Sequence, residues 1–177
     1  MEAESFTWHG LFTQPNKEGK AEDILKKRKI DCYLPKFTKQ VRAKGRSHRP
    51  KNCAVIPGML FIPVEAMAAK RRTEIFREAA IYGFLRTAGN VPASIPQRDI
   101  EIIKAIEVKL NRTTKQIHSD FRVGQKVKFK DQVYSAYLGS AEIFEVLANG
   151  KNVGIIVPML FGQPTRIHVA ASDLVAL

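Results

Sequence analysis

The sequence predicts an α+β front domain, an antiparallel sheet with helices packed on it, followed by a small five-stranded β-barrel. Three observations predict it. Strand-like and helix-like runs alternate from Phe6 to Leu110 in the order β-α-β-β-α-β-α. A polar stretch without apolar periodicity follows at 111–120, NRTTKQIHSD, and reads as a coil linker. Beyond it lie five short runs rich in Val, Ile, Phe and Tyr and separated by turn signals, too little chain for a broad sandwich.

Residues 6–13 read as a strand, with Phe6, Trp8, Gly10 and Phe12 on one face and Thr7, His9, Leu11 and Thr13 on the other. Gln14-Pro15-Asn16 breaks it, and Asn16 is placed to cap a helix over 17–29, whose Ala21, Ile24 and Leu25 share one face. Residues 32–37 read as the next strand, edged by Pro35. Residues 38–52, TKQVRAKGRSHRPKN, hold six Lys or Arg and no acid, and read as a hairpin tip or loop. The longest apolar run, 54–64, suits a buried strand bent at Pro57-Gly58. A helix over 67–80, a strand over 81–85, a loop over 87–94 and a helix from 96 to about 110 complete the front domain.

In the rear part, Val127, Phe129 and Asp131 alternate with Lys126, Lys128 and Lys130, the period of a half-buried strand. A turn-rich patch ends at Gly139. A second strand over 141–147 runs into Asn149-Gly150, a strong hairpin signal. Residues 153–157, 165–169 and 174–177 supply the remaining strands.

The 177-residue chain has formal net charge +12 and is 45% hydrophobic, so it is a folded basic protein rather than a disordered basic tail. Residues 1–110 carry nine of the twelve excess positive charges, which places a surface for polyanions mainly in the front domain. We single out Lys17, Lys20 and Lys27 on the first helix, and Lys39, Arg42, Lys44, Arg46 and Arg49 in the hairpin, as contacts to a nucleic-acid backbone. No apolar run has the length of a bilayer span, and the first ten residues lack the pattern of a secretory signal. Cys32 and Cys53 have no partner at zinc-ligand spacing and read as reduced thiols of a cytoplasmic protein. No phosphate-binding, nucleophile-elbow or HExxH motif occurs, and His9, His48, His118 and His168 are scattered. The chain therefore reads as a binding protein, with no catalytic set, no metal site and no cofactor.

Several segments together carry a resemblance. Gly124, the strand at 127–131, Gly139 and the apolar strand after it resemble a KOW motif. Phe161-Gly162-Gln163-Pro164-Thr165-Arg166-Ile167 resembles the FGRxTPV segment that closes the KOW domain of the NusG family. Ile56-Pro57-Gly58-Met59-Leu60-Phe61-Ile62 resembles the FPGYxFV strand of that family's N-terminal (NGN) domain. Pro15 and Glu18 match the start of its first helix, Tyr33-Leu34-Pro35 its second strand, and Ile81-Tyr82-Gly83-Phe84-Leu85 its GVxxFV strand. Pro96-Gln97-Arg98-Asp99-Ile100 matches its proline-then-acidic helix start. The resemblance spans both domains: NGN-like 1–110, a linker over 111–120, and an SH3-like KOW barrel over 121–177.

The resemblance implies a monomeric transcription elongation or antitermination factor. Its NGN-like domain would dock an apolar patch on the clamp helices of the largest RNA polymerase subunit and approach the gate loop of the second-largest. It would lie against upstream or non-template DNA. Ile56, Met59, Phe61, Ile81 and Phe84 match the pocket strands, and Arg71, Arg72 and Thr73 the helix start facing the gate loop. Alternate residues of the same strand must also fill the core, so Met59 is open to either role. The KOW domain would recruit Rho or a small-subunit ribosomal protein through Phe161 and Gly162, with Phe161 open to being a barrel core residue instead. Met59 replaces the family's Tyr, Gln132-Val133-Tyr134 its GPF turn, and Ala80 a glycine. These departures favour a specialised, RfaH-like antitermination paralogue over the housekeeping factor. Some paralogues hold this domain as a helical hairpin; the β-prone residues of 123–169 predict a barrel here. The alternative is a ribosome- or RNA-binding KOW protein.

Overall fold

The computed structural model describes residues 7–42, 48–67, 69–76, 80–87, 89–112, 120–147 and 150–177, with backbone alone at 40–42, 48, 67, 69–71 and 76. The chain forms two compact units. One comprises Met1–Pro35 with Pro57–Glu101, the other Lys36–Ile56 with Ile102–Leu177.

The first unit is built on an antiparallel sheet in the order β4 (Met59–Pro63), β1 (Thr7–Thr13), β5 (Ile81–Phe84). The two-residue strand β6 (Ile95–Pro96), not foreseen in the sequence, pairs with Thr7 and Trp8. Helix α1 (Glu18–Lys27) buries Ala21 and Leu25, and α2 (Ala69–Phe76) buries Ile75. Leu25 and Ile75 each contribute roughly 1.5–3 kcal/mol over exposure, and the single methyl of Ala21 less.

Asn16 does not cap α1. It occupies the left-handed region at φ 61, and Lys17 precedes the helix without a side-chain cap. The first-turn acid Glu18 instead turns outward from the helix: its carboxylate accepts the Gly58 N–H at 2.8 Å. Gly58 sits at φ 75, and its carbonyl accepts the Thr13 N–H at 2.8 Å. The Pro57-Gly58 bend is thus held from both sides, and β4 starts only after it.

The expected strand at 32–37 is divided: Tyr33 makes an isolated bridge to Phe61, and Lys36 and Phe37 open a separate hairpin strand. Pro35 has no N–H to continue the ladder.

The second unit contains the hairpin β2 (Lys36–Arg42) and β3 (His48–Ala54), whose tip lies outside the described residues. Helix α3 (Gln97–Arg112) buries Ile100, Ile103, Ile106 and Leu110 as one stripe, and its later turns belong to this unit. It continues two residues into the stretch read as linker. There the Asn111 amide donates to the Lys36 carbonyl at 2.9 Å. Residues 113–119 lie outside the described residues.

The C-terminal sheet has five antiparallel strands in the order β10 (Gln163–Ala170), β9 (Asn152–Leu160), β8 (Ser140–Val146), β7 (Lys126–Phe129), β11 (Leu174–Ala176). Val127, Phe129, Ile143, Val153, Ile155, Val157, Ile167 and Val169 form its core. It is a β domain, as the β-branched composition requires. One segment differs from expectation. Asp131 ends the strand rather than belonging to it, and residues 132–138 form a helix, α4 (Gln132–Leu138), in place of a turn. The Asp131 carboxylate accepts the Val133 N–H at 2.9 Å, a side-chain cap that a strand assignment leaves without a role.

Candidate functional site

The apolar strand read as the polymerase pocket is buried. Ile56, Met59, Phe61, Ile81 and Phe84 are all core residues, and Met59 retains only 3% of its surface. The expectation that these side chains present themselves to a partner is corrected here. In an antiparallel ladder, directly opposed residues share a face. Met59 opposes Phe12 and Phe61 opposes Gly10, and a Cβ on Gly10 would meet the Met59 sulfur at 3.4 Å. Met59 therefore fills the space that Gly10 leaves over β1.

Open apolar surface lies one strand away. Tyr82 on β5 is 66% exposed, and its ring stacks on half-buried Phe12 with centroids 6.1 Å apart and planes 16° from parallel. The β1–β5 register shifts between Phe12 and Thr13, which leaves Tyr82 without a direct partner across the ladder. Phe84, next but one along β5, lies between two guanidiniums, Arg72 at 4.9 Å and Arg86 at 4.8 Å from its centroid. The Arg86 guanidinium also donates to Asn90. Arg72 and Thr73 are exposed on α2, while the Arg71 side chain lies outside the described residues. Strand β5 thus carries the exposed member of an aromatic pair and, two residues on, a ring met by two guanidiniums.

Neither Tyr82 nor Phe12 was singled out by sequence, although strand alternation carried the signal: with Ile81 and Gly83 inward, Tyr82 must point out.

The basic residues occupy two places. Lys17, Lys20 and Lys27 are exposed at or on α1. Across the hairpin, Lys39 directly opposes Lys51, and Arg49 follows on the same face. Like charges placed opposite one another repel, so the pair gains from an anion between them. Lys51 is an addition to the sequence-derived set. The side chain of Arg42, and the whole of Lys44 and Arg46, lie outside the described residues.

Phe161 and Gly162 form the two-residue turn joining β9 to β10, with φ of 58 and 76. Positive φ at both central residues is the mark of a type I′ hairpin, whose twist suits the flanking strands. The Thr165 hydroxyl donates to the Leu160 carbonyl at 2.9 Å and closes the turn. The Phe-Gly…Thr pattern is thus a folding device as well as a surface. Phe161 is half-buried, and Pro158, Met159 and Pro164 beside it are exposed, Met159 by 72%.

Among the described residues, no three His, Cys, Asp or Glu side chains converge to hold a metal, and no helix is long and apolar enough to cross a membrane.

Antiparallel sheets with a few packed helices, ending in a five-stranded sheet, define a protein of α+β class. Residues 6–104, more than half of the chain, match the model of the family described as transcription termination factor nusG, and the chain belongs to that family. It is accordingly a transcription factor of the elongation and termination type. The fold is similar to that of a solved structure described as "Domain interaction in Thermotoga maritima NusG", at 18% identity, with TM-score 0.50 and 95% of each chain covered. Two conformations of the MjSpt4:Spt5 complex are similar at 12% and 13% identity, with TM-scores of 0.32 and 0.31. The first covers 96% of this chain and 97% of that one, the second 96% of each. No curated protein sequence matches the chain.

Proposed function

We propose that the protein rides on elongating RNA polymerase in the cytoplasm as a monomer, docking through the Phe12–Tyr82 surface and suppressing pausing or termination. The observation that carries this reading is the exposed stack itself. A flat aromatic pair beside Arg72 and Arg86 offers an apolar anchor with a cationic rim, the composition of an interface centre. Met59, Phe61, Ile81 and Phe84 then act from beneath, fixing the strands that carry the pair. The partner surfaces proposed are the clamp helices of the largest subunit and, for the Arg72–Thr73 end of α2, the gate loop of the second-largest. The α1 lysines with Lys39, Arg49 and Lys51 face upstream or non-template DNA. The Phe161-Gly162 turn, with Met159, receives Rho or a small-subunit ribosomal protein. Met59, Ala80 and the α4 segment depart from the family pattern and favour an operon-specific antitermination role. Residues 1–110 and 121–177 are proposed as the two functional domains.

A photo-crosslinking phenylalanine analogue in place of Tyr82 tests the docking. It should label the largest polymerase subunit in elongation complexes. Labelling confined to other chains, or none, overturns the assignment.

A further inference from the structure

Arg72 on α2 and Arg86, two residues beyond Phe84, bring their guanidiniums to one ring. Their distances from the Phe84 centroid, 4.9 and 4.8 Å, set a limit on their separation. The two charges lie closer together than the roughly 10 Å over which 0.1 M salt screens them. The ring is buried and both arginines are exposed.

Arg86 is fixed by more than the ring. The side-chain carbonyl of Asn90 accepts from its guanidinium. Asn90 sits at φ 59 in a turn closed by two backbone bonds. Its N–H donates to the Thr87 carbonyl at 3.0 Å, and the Thr87 N–H donates to the Val91 carbonyl at 2.9 Å. Arg86 itself bridges to Pro92 across the base of the turn.

The pair is not neutralised. Among the described residues, no carboxylate forms an ion pair with either guanidinium. Glu74 on α2 and Glu65 before it are the nearest acids along the chain, and both point elsewhere than to these arginines. Two like charges held side by side repel, and an anion shared between them relieves that repulsion. A guanidinium already held in place also loses little freedom when its planar fork meets a carboxylate. The surroundings are those of a protein contact. Val91, beside Asn90, is 58% exposed, and Tyr82, two residues before Phe84, is 66% exposed. Arginine among exposed aromatic and aliphatic side chains is the composition of a protein interface, whereas a phosphate backbone is tracked by rows of cations.

We propose that Arg72 and Arg86 form a receptor for the carboxylates of an acidic segment of a partner protein, with Tyr82 and Val91 meeting apolar side chains of the same segment. The receptor does not depend on that partner being polymerase.

Fluorescence anisotropy with the full chain tests it. The probe is a short fluorescein-labelled peptide in which glutamate and leucine alternate. Arg72→Gln with Arg86→Gln should weaken its binding by at least about tenfold, the loss expected of paired arginine anchors. Lys126→Gln with Lys128→Gln removes the same charge from exposed positions of β7 and should leave the affinity unchanged. Arg72→Lys with Arg86→Lys keeps the charge without the planar fork, and should still bind at least about threefold more weakly than wild type. Equal losses in the arginine-to-glutamine and lysine-to-glutamine pairs would reduce the effect to net charge and overturn the receptor. So would full affinity in the arginine-to-lysine pair. A labelled oligothymidylate that loses affinity in the arginine variants while the peptide does not would assign the site to nucleic acid instead.

Discussion

The Glu18 carboxylate and the Gly58 backbone N–H meet at 2.8 Å, joining the first turn of α1 to the bend that precedes β4. Two segments forty residues apart, Pro15-Asn16-Lys17-Glu18 and Pro57-Gly58, are one structural unit. Hydrogen bonds to charged groups contribute about 1.5–3 kcal/mol. Glu18→Ala should destabilise the fold by that order in urea denaturation, and Glu18→Gln by less. Equal stability of all three proteins would show that the bond is immaterial.

Gly154 permits a close approach of another kind. A Cβ there would lie 2.5 Å from Cζ of Phe144 and 2.7 Å from its Cε1. Gly154→Ala should displace the ring from its place between Arg166 and His168 and cost about 1–3 kcal/mol, as overpacking does. Adding Phe144→Leu should recover most of the loss, which a double-mutant cycle would measure.

The hairpin cations make a prediction in salt. Binding of a DNA duplex or single strand should weaken steeply as salt rises. Lys39→Gln and Lys51→Gln should each lower the logarithmic slope by about one while leaving sequence preference alone. A slope unchanged in the double variant would remove these lysines from the interface.

On α1, the Lys26 ammonium donates to Glu22 at 2.7 Å, and this bond, with the carboxylate's charge, raises the Lys26 pKa above the usual lysine value. A raised folded-state pKa gives stability that is complete below the unfolded value and is lost as pH climbs through the folded one. The melting-temperature difference between wild type and Lys26→Met should therefore hold from about pH 7 to 9 and shrink as pH rises past about 10.4, the unfolded lysine value.

Much of this architecture was legible in the residues. Alternation at Val127 and Phe129 gave a strand, and the Ile100–Leu110 spacing gave a helix, because burial on one face leaves its period in the sequence. Capping was less legible. Asp131 and Asn16 are both residues suited to cap a helix, yet only Asp131 caps one, since Asn16 is needed at positive φ in the turn after Pro15. The candidate site was half legible. Motif matching led to β4, whose side chains are sealed, and passed over Tyr82, which alternation with inward Ile81 and Gly83 marked as outward. That Phe12 stacks on it is fixed by the pairing of β1 with β5, which leaves no period in either strand.

Affinity for core RNA polymerase, compared between wild type and Tyr82→Asp, tests the central claim most directly. Tyr82 is exposed, so the change leaves the fold intact. If the aromatic pair anchors the complex, affinity should fall by about tenfold or more, the loss expected of an interface hot spot. An unchanged affinity would contradict the account.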